Sequence, residues 1–164
     1  MTAMSTSQSK RLGQEEGELR WWFDGLAAIK LSAADTGRQF SLTEMLYPAG
    51  AVVPQHVHHR EDELFYVLEG EITIQVGEHS YVGGAGATIL APRDVPHGFT
   101  VTSSQPVRYL ILYTPAGFEG FIMQSSQPAL QATLPPPPQS PPTQEQIEQL
   151  TALMSREYGC EFVE

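Results

Sequence analysis

From Trp21 to Tyr113 the apolar residues come in short runs, and many of them alternate with polar ones. In "EITIQV" (71–76), Ile72, Ile74 and Val76 alternate with Thr73 and Gln75, the period-two pattern of a strand with one face buried. The same reading predicts strands at 21–31, 40–47, 51–58, 63–68, 71–76, 87–90, 97–102 and 107–113. The segments between them, among them "ADTG", "PAG", "VGEHS", "VGGAG" and "PRDVP", are rich in turn formers. Many short strands with no long helix among them predict an all-β sandwich or barrel.

The two ends of the chain break this pattern. Residues 1–18 are polar and read as a flexible or loosely docked arm. "LPPPPQSPP" (134–142) cannot form a ladder and reads as an extended polyproline linker. Thr143 with Gln146 three residues on forms a capping box, and Ile147, Leu150, Met154 and Tyr158 follow at helical spacing before Gly159. The chain therefore divides into an arm (1–18), a β body (19–133), a linker (134–142) and a C-terminal α-helix with its tail (143–164), the helix packing on the body or on a neighbouring subunit.

Composition narrows the class. Fourteen glycines and thirteen prolines in 164 residues suit a turn-rich single domain. Nineteen acidic against nine basic side chains leave a net charge of −10, which argues against nucleic acid or an anionic membrane as partner. Cys160 is the only cysteine, so no intrachain disulfide can form. The N-terminal stretch has no apolar signal-like run, and no stretch reaches the roughly eighteen apolar residues of a membrane span. A cytoplasmic location is the expectation.

Candidate chemistry gathers at "HVHHREDE" (56–63). On a strand, His56 and His58 leave the same face with Cα atoms roughly 7 Å apart, close enough for two imidazoles to reach one ion. Glu63 shares a face with Phe65 and Val67, a costly place for a carboxylate unless it is paired or bound to a cation. His97 opens another strand after "PRDVP". Three imidazoles and a carboxylate suit iron, nickel, manganese, copper or zinc. A solvated charged turn is the competing reading of the histidine pair. His59 points away from His58 by alternation, His79 lies in a turn, and Arg60, Glu61 and Asp62 read as a charged turn.

The spacing around these residues resembles a known pattern. Gly50, five residues, His56-x-His58, four residues, Glu63, six residues, Gly70 is similar to the first motif of the cupin superfamily. Gly86, five residues, Pro92, then Val95-Pro96-His97 resembles the second. Asp94 stands where that motif usually has glycine, at a turn position that needs positive φ and that aspartate tolerates. Val101 replaces the asparagine that often ends it. The resemblance covers about residues 40–115. It implies a double-stranded β-helix (jelly-roll) barrel holding one divalent metal ion per chain on His56, His58, Glu63 and His97.

Fold and metal do not name a reaction. "EDELFYVLEGEITIQVG" and "YTPAGFEGF" (113–121) are similar to segments of small single-domain cupins of the quercetin 2,3-dioxygenase type. That resemblance implies a metal-dependent dioxygenase of a small aromatic or enolic compound, with Glu63 as catalytic base as well as ligand, and a homodimer. The alternatives are a non-catalytic cupin that binds a sugar or metabolite, and a cupin-type isomerase. An apolar lining of Phe65, Val67, Phe99, Val101, Phe40, Met45, Tyr109, Ile111 and Tyr113 suits an aromatic substrate and equally suits a plain core. Trp21 and Trp22 are candidates for the mouth or for a subunit contact, and Phe118 and Phe121 for closing the open end or simply packing there.

Overall fold

A computed structural model describes residues 9–163. Two antiparallel sheets face each other. The larger carries, in spatial order, β11 (Gln127–Pro128), β1 (Glu18–Trp22), β2 (Gly25–Leu31), β3 (Ser41–Tyr47), β10 (Val107–Thr114), β5 (Asp62–Glu69) and β8 (Thr88–Ala91). The smaller carries β12 (Cys160–Phe162), β4 (Val52–His58), β9 (His97–Val101), β6 (Glu71–Val76) and β7 (His79–Gly84). The all-β expectation with a C-terminal helix holds.

Alternation in the sequence decides which side chains fill the barrel. Tyr109, Ile111 and Tyr113 on β10, Phe65 and Val67 on β5, Ile72 and Ile74 on β6, and Phe99 and Val101 on β9 all enter one core. On the opposite face of the larger sheet, cross-strand register aligns Leu31, Leu42, Leu112, Leu64 and Leu90 into a single row over five strands.

Several elements escape the hydrophobic pattern. The expected strand 21–31 is a hairpin of β1 and β2 that turns at Phe23, whose φ is 51°. β7 occupies "HSYVGG", whose glycines and exposed outer positions read as turn, yet it pairs fully with β6. "ADTG" forms α1 (Ala33–Thr36), and α2 (Glu119–Ser125) lies just after the "PAGF" stretch. β12 has only three residues and is defined by its pairing to β4, which no local pattern reveals.

α3 (Gln144–Tyr158) has the expected capping box, with the Thr143 side chain accepting from the Gln146 backbone N–H. Met154 is buried, and Leu150, Leu153 and Tyr158 pack against the core. Ile147 on the same helix remains exposed, so the first turns run beyond the barrel surface. Gly159 ends the helix at φ 63°, and a Cβ there would come within 2.8 Å of Arg60 Nε. Glycine at that position reverses the chain in little space, and β12 can then return along β4.

Residues 1–8 of the N-terminal arm lie outside the described residues. Further along, the buried Lys30 ammonium donates to the carbonyl oxygens of Gly13, Gln14 and Glu16 at 2.6–2.7 Å and lies 3.4 Å from Glu44. Those contacts hold residues 13–16 against β2. No helix among the described residues is long and apolar enough to cross a membrane.

Candidate metal centre

β4 and β9 bring the histidines together. β4 carries one extra residue relative to β9 between Val53 and His56, at Pro54 and Gln55, and beyond this bulge His56 stands directly opposite His97. The close approach at the bulge explains Gly98, where a Cβ would meet the Val53 carbonyl oxygen at 2.7 Å. Glu63 reaches the same space from β5 across the barrel. The turn leading into β9 is also as expected, since Asp94 has φ 63°.

One potential ligand atom from each of His56, His58, Glu63 and His97 lies within 4.8 Å of the other three. His58, Glu63 and His97 are 1–2 % exposed, and His56 stands at the partly exposed rim. Each ring is oriented by an acceptor on its outer nitrogen. Nδ1–H of His56 donates to the Pro54 carbonyl at 2.8 Å, that of His97 to the Val95 carbonyl at 3.1 Å, and that of His58 to Glu61 Oε1 at 2.8 Å. An acceptor on Nδ1 fixes the proton there and leaves Nε2 as the atom that can bind a cation.

Glu63 takes up that position. Its two oxygens lie 2.9 Å from His58 Nε2 and 2.8 Å from His97 Nε2. With both outer nitrogens already protonated, these contacts need either further protons on Nε2 or a metal ion between the groups. Burial alone would raise the Glu63 carboxyl, but the His58 charge and the hydrogen bonds from His58 and His97 hold it well below the usual carboxylate range. Burial works against a charged His58, yet Glu63, Cys160 and Glu61 together hold it well above the usual imidazole range. Desolvation pushes His56 down to about 4, against the pull of Glu63.

The donor set fits a transition metal. A six-coordinate ion with bonds of about 2.1 Å places neighbouring donors about 3.0 Å apart and opposite donors about 4.2 Å apart. The Glu63 contacts match the first spacing, and all four donors lie within 4.8 Å of one another, close to the second. Four protein donors leave room for a small exogenous ligand on such an ion.

Residues outside the sequence-predicted set complete the surroundings. Glu61, read above as part of a charged turn, is 4 % exposed and holds His58. The buried Cys160 thiol lies 3.5 Å from His58 Nε2, delivered by β12. The Phe118 ring packs edge-on against His58 at 4.4 Å between centroids and also contacts Tyr113 and Phe121. Trp22 in turn leans on Phe118 and Phe121, so it covers the barrel end, whereas Trp21 donates from Nε1 to the Thr133 carbonyl. His59 sits on the surface, 2.6 Å from Asp94, and His79 stacks on exposed Tyr81.

Residues 43–113 match the family described as a cupin domain. The barrel is a cupin fold. Solved cupin-like structures agree on the architecture. KdgF from Halomonas sp. is 18 % identical with a TM-score of 0.54, over 59 % of this chain and 84 % of that one. A predicted oxalate decarboxylase from Thermotoga maritima is 22 % identical with a TM-score of 0.53, over 56 % and 80 %. Oxalate oxidase in complex with glycolate is 20 % identical with a TM-score of 0.50, over 56 % and 51 %.

Curated relatives are also partial matches. The HTH-type transcriptional regulator PuuR of Escherichia coli (strain K12) is 31 % identical over 94 residues, which is 57 % of this chain and 51 % of the regulator. An uncharacterized protein of Methanocaldococcus jannaschii is 28 % identical over 74 residues, covering 45 % of this chain and 59 % of that protein. The chain thus spans little more than half the length of the curated relatives it matches.

Proposed function

We propose that this cupin is a metal-dependent dioxygenase of a small aromatic or enolic compound. The observation that carries the reading is the convergence of three Nε2-facing imidazoles and Glu63 inside an apolar barrel. His56, His58, Glu63 and His97 would hold a divalent transition metal, which would supply Lewis acidity and redox chemistry. The protein does the rest. Pro54, Glu61 and Val95 keep the three rings aimed inward, so the donor set is preorganised.

Glu63 accepts the hydroxyl proton of the bound enol or phenol. Its carboxylate stays ionised despite full burial, because the imidazoles compensate its charge. Phe118 and Tyr113 cover the His58 side of the cluster, and Phe65 packs on His97 with Phe99 against it. These rings exclude water and offer flat faces to a conjugated substrate. Elemental analysis of the purified protein, followed by oxygen uptake with a panel of flavonols and smaller enols after loading each candidate metal, tests the reading. No uptake with any pairing of metal and substrate contradicts it.

A second reading keeps the metal and drops the chemistry. The partial match to a transcriptional regulator favours a cupin that binds a small metabolite without turning it over. Tight, stoichiometric ligand binding by a protein that consumes no oxygen supports this alternative.

The leucine row on the outer sheet face suits the expected homodimer. Leu112 lies at its centre, so a two-fold axis there maps the row onto itself. A monomeric mass by light scattering at micromolar concentration contradicts that contact.

A further inference from the structure

Behind Phe118 lies a cavity of about 470 Å³ that the metal cluster does not use. It is lined by Arg38, Arg60 and Glu157, by Ala116, Phe118 and Tyr158, and at its back by Glu61. Its polar groups are unevenly placed. Glu61 is fixed at the inner wall by His58 Nδ1, while Arg38 and Arg60 are exposed at the outer side.

Neither arginine is neutralised by a carboxylate of the described residues. Of the nine Lys and Arg side chains, six pair with a carboxylate: Lys10, Arg20, Lys30, Arg93, Arg108 and Arg156. Arg11, Arg38 and Arg60 form no such pair among the described residues, although acidic side chains outnumber basic ones about two to one, and of these three only Arg38 and Arg60 line the cavity. Arg60 is nevertheless held in place, donating from Nη1 to the Glu157 carbonyl beneath the tight Gly159 turn. Arg38 is anchored through its backbone carbonyl, which accepts from Ala116 N–H.

Between the arginines and Glu61 the walls are apolar and aromatic. The Phe118 and Tyr158 rings stand nearly perpendicular, with centroids 6.3 Å apart, and Ala116 is buried beside them. Two guanidiniums without a carboxylate partner at one end, the Phe118–Tyr158 pair beside them and a hydrogen-bond acceptor further in define a polarised site. An anionic group is drawn to the arginines and repelled by Glu61. A hydroxyl at the opposite end of the same molecule can donate to Glu61.

We propose that this cavity binds a small aromatic carboxylate, carboxylate outward on Arg38 and Arg60 and ring packed against the Phe118–Tyr158 pair. The site is distinct from the metal cluster, which lies on the other side of Phe118 and Glu61, and the proposal holds whether or not the cluster turns over a substrate. Guanidinium–carboxylate pairing gives the recognition, and the aromatic walls give the shape.

Calorimetry with 4-hydroxybenzoate, whose hydroxyl and carboxylate are too far apart to chelate, tests this on the full-length, metal-loaded protein. The expected result is saturable binding of one molecule per chain. The neutral 4-hydroxybenzamide and the variants Arg38→Asn and Arg60→Gln should each weaken it by about tenfold, the share of one lost charge-assisted contact. Asparagine suits Arg38 because φ there is 67°. His56→Ala should leave this binding unchanged, since His56 does not line the cavity. Equal affinity for acid and amide, indifference to both arginine changes, or loss of binding in His56→Ala each overturns the proposal. Absence of binding at millimolar concentration overturns it as well.

Discussion

Glu61 Oε1 lies 2.8 Å from Nδ1 of His58, and both side chains are almost completely buried. A second carboxylate thus stands directly behind the metal-facing imidazole and fixes which of its nitrogens faces the barrel. Glu61→Gln keeps the size but removes the charge and weakens that hold. Metal affinity, measured by competition with a chromophoric chelator, should fall roughly ten- to hundredfold, the usual cost of losing such a partner. An affinity equal to the parent's would mean that the pair serves only packing.

His56, His58 and Glu63 were legible because their spacing is local, and His97 because it opens a strand within the second cupin-like motif. His56 and His58 lie on one strand, and Glu63 and His97 begin strands that alternate clearly. Glu61 was not legible, because nothing in "REDE" says which acid turns inward; the turn geometry between β4 and β5 decides that. Cys160 was hidden for a different reason. It reaches His58 only through pairing of two segments about a hundred residues apart. β7 was lost because its outer positions and glycines imitate a loop, and α2 because its seven residues are too few to show a helical period.

Ligands and surface histidines should separate cleanly. His56→Ala and His97→Ala should each abolish stoichiometric metal in elemental analysis while the far-ultraviolet spectrum stays that of the β body. His59→Ala and His79→Ala should load as the parent does, since both side chains face outward. Full occupancy in His56→Ala contradicts the assignment.

Metal uptake should release protons. In the metal-free protein the raised His58 holds its second proton at neutral pH, so binding at Nε2 must expel it. The sign follows directly: apparent affinity increases with pH, by about tenfold per unit for each proton displaced. Calorimetry in buffers of different ionisation enthalpy reads the number released. Affinity independent of pH between about 6 and 8 would show that His58 is already neutral there.

Removing residues 135–164 strips the core of Met154 and Cys160 and of the contacts from Leu150, Leu153 and Tyr158. At about 1.5–3 kcal/mol for each large apolar side chain fully buried, the loss should come to roughly 5 kcal/mol, enough to lower the melting temperature sharply or to cause aggregation. An unchanged melting curve would mean that the helix and β12 are appended rather than structural.

Oxygen uptake by the Glu63→Gln protein tests the central claim most directly. Glutamine keeps the shape and one oxygen donor but takes away the base, and the three imidazoles still hold the ion. Parent and variant must be compared at equal metal occupancy, with the enolic substrate that the parent turns over fastest. The account predicts that the variant consumes oxygen about 10²–10⁴-fold more slowly, the share of rate that a positioned general base supplies. Uptake at the parent's rate would contradict it.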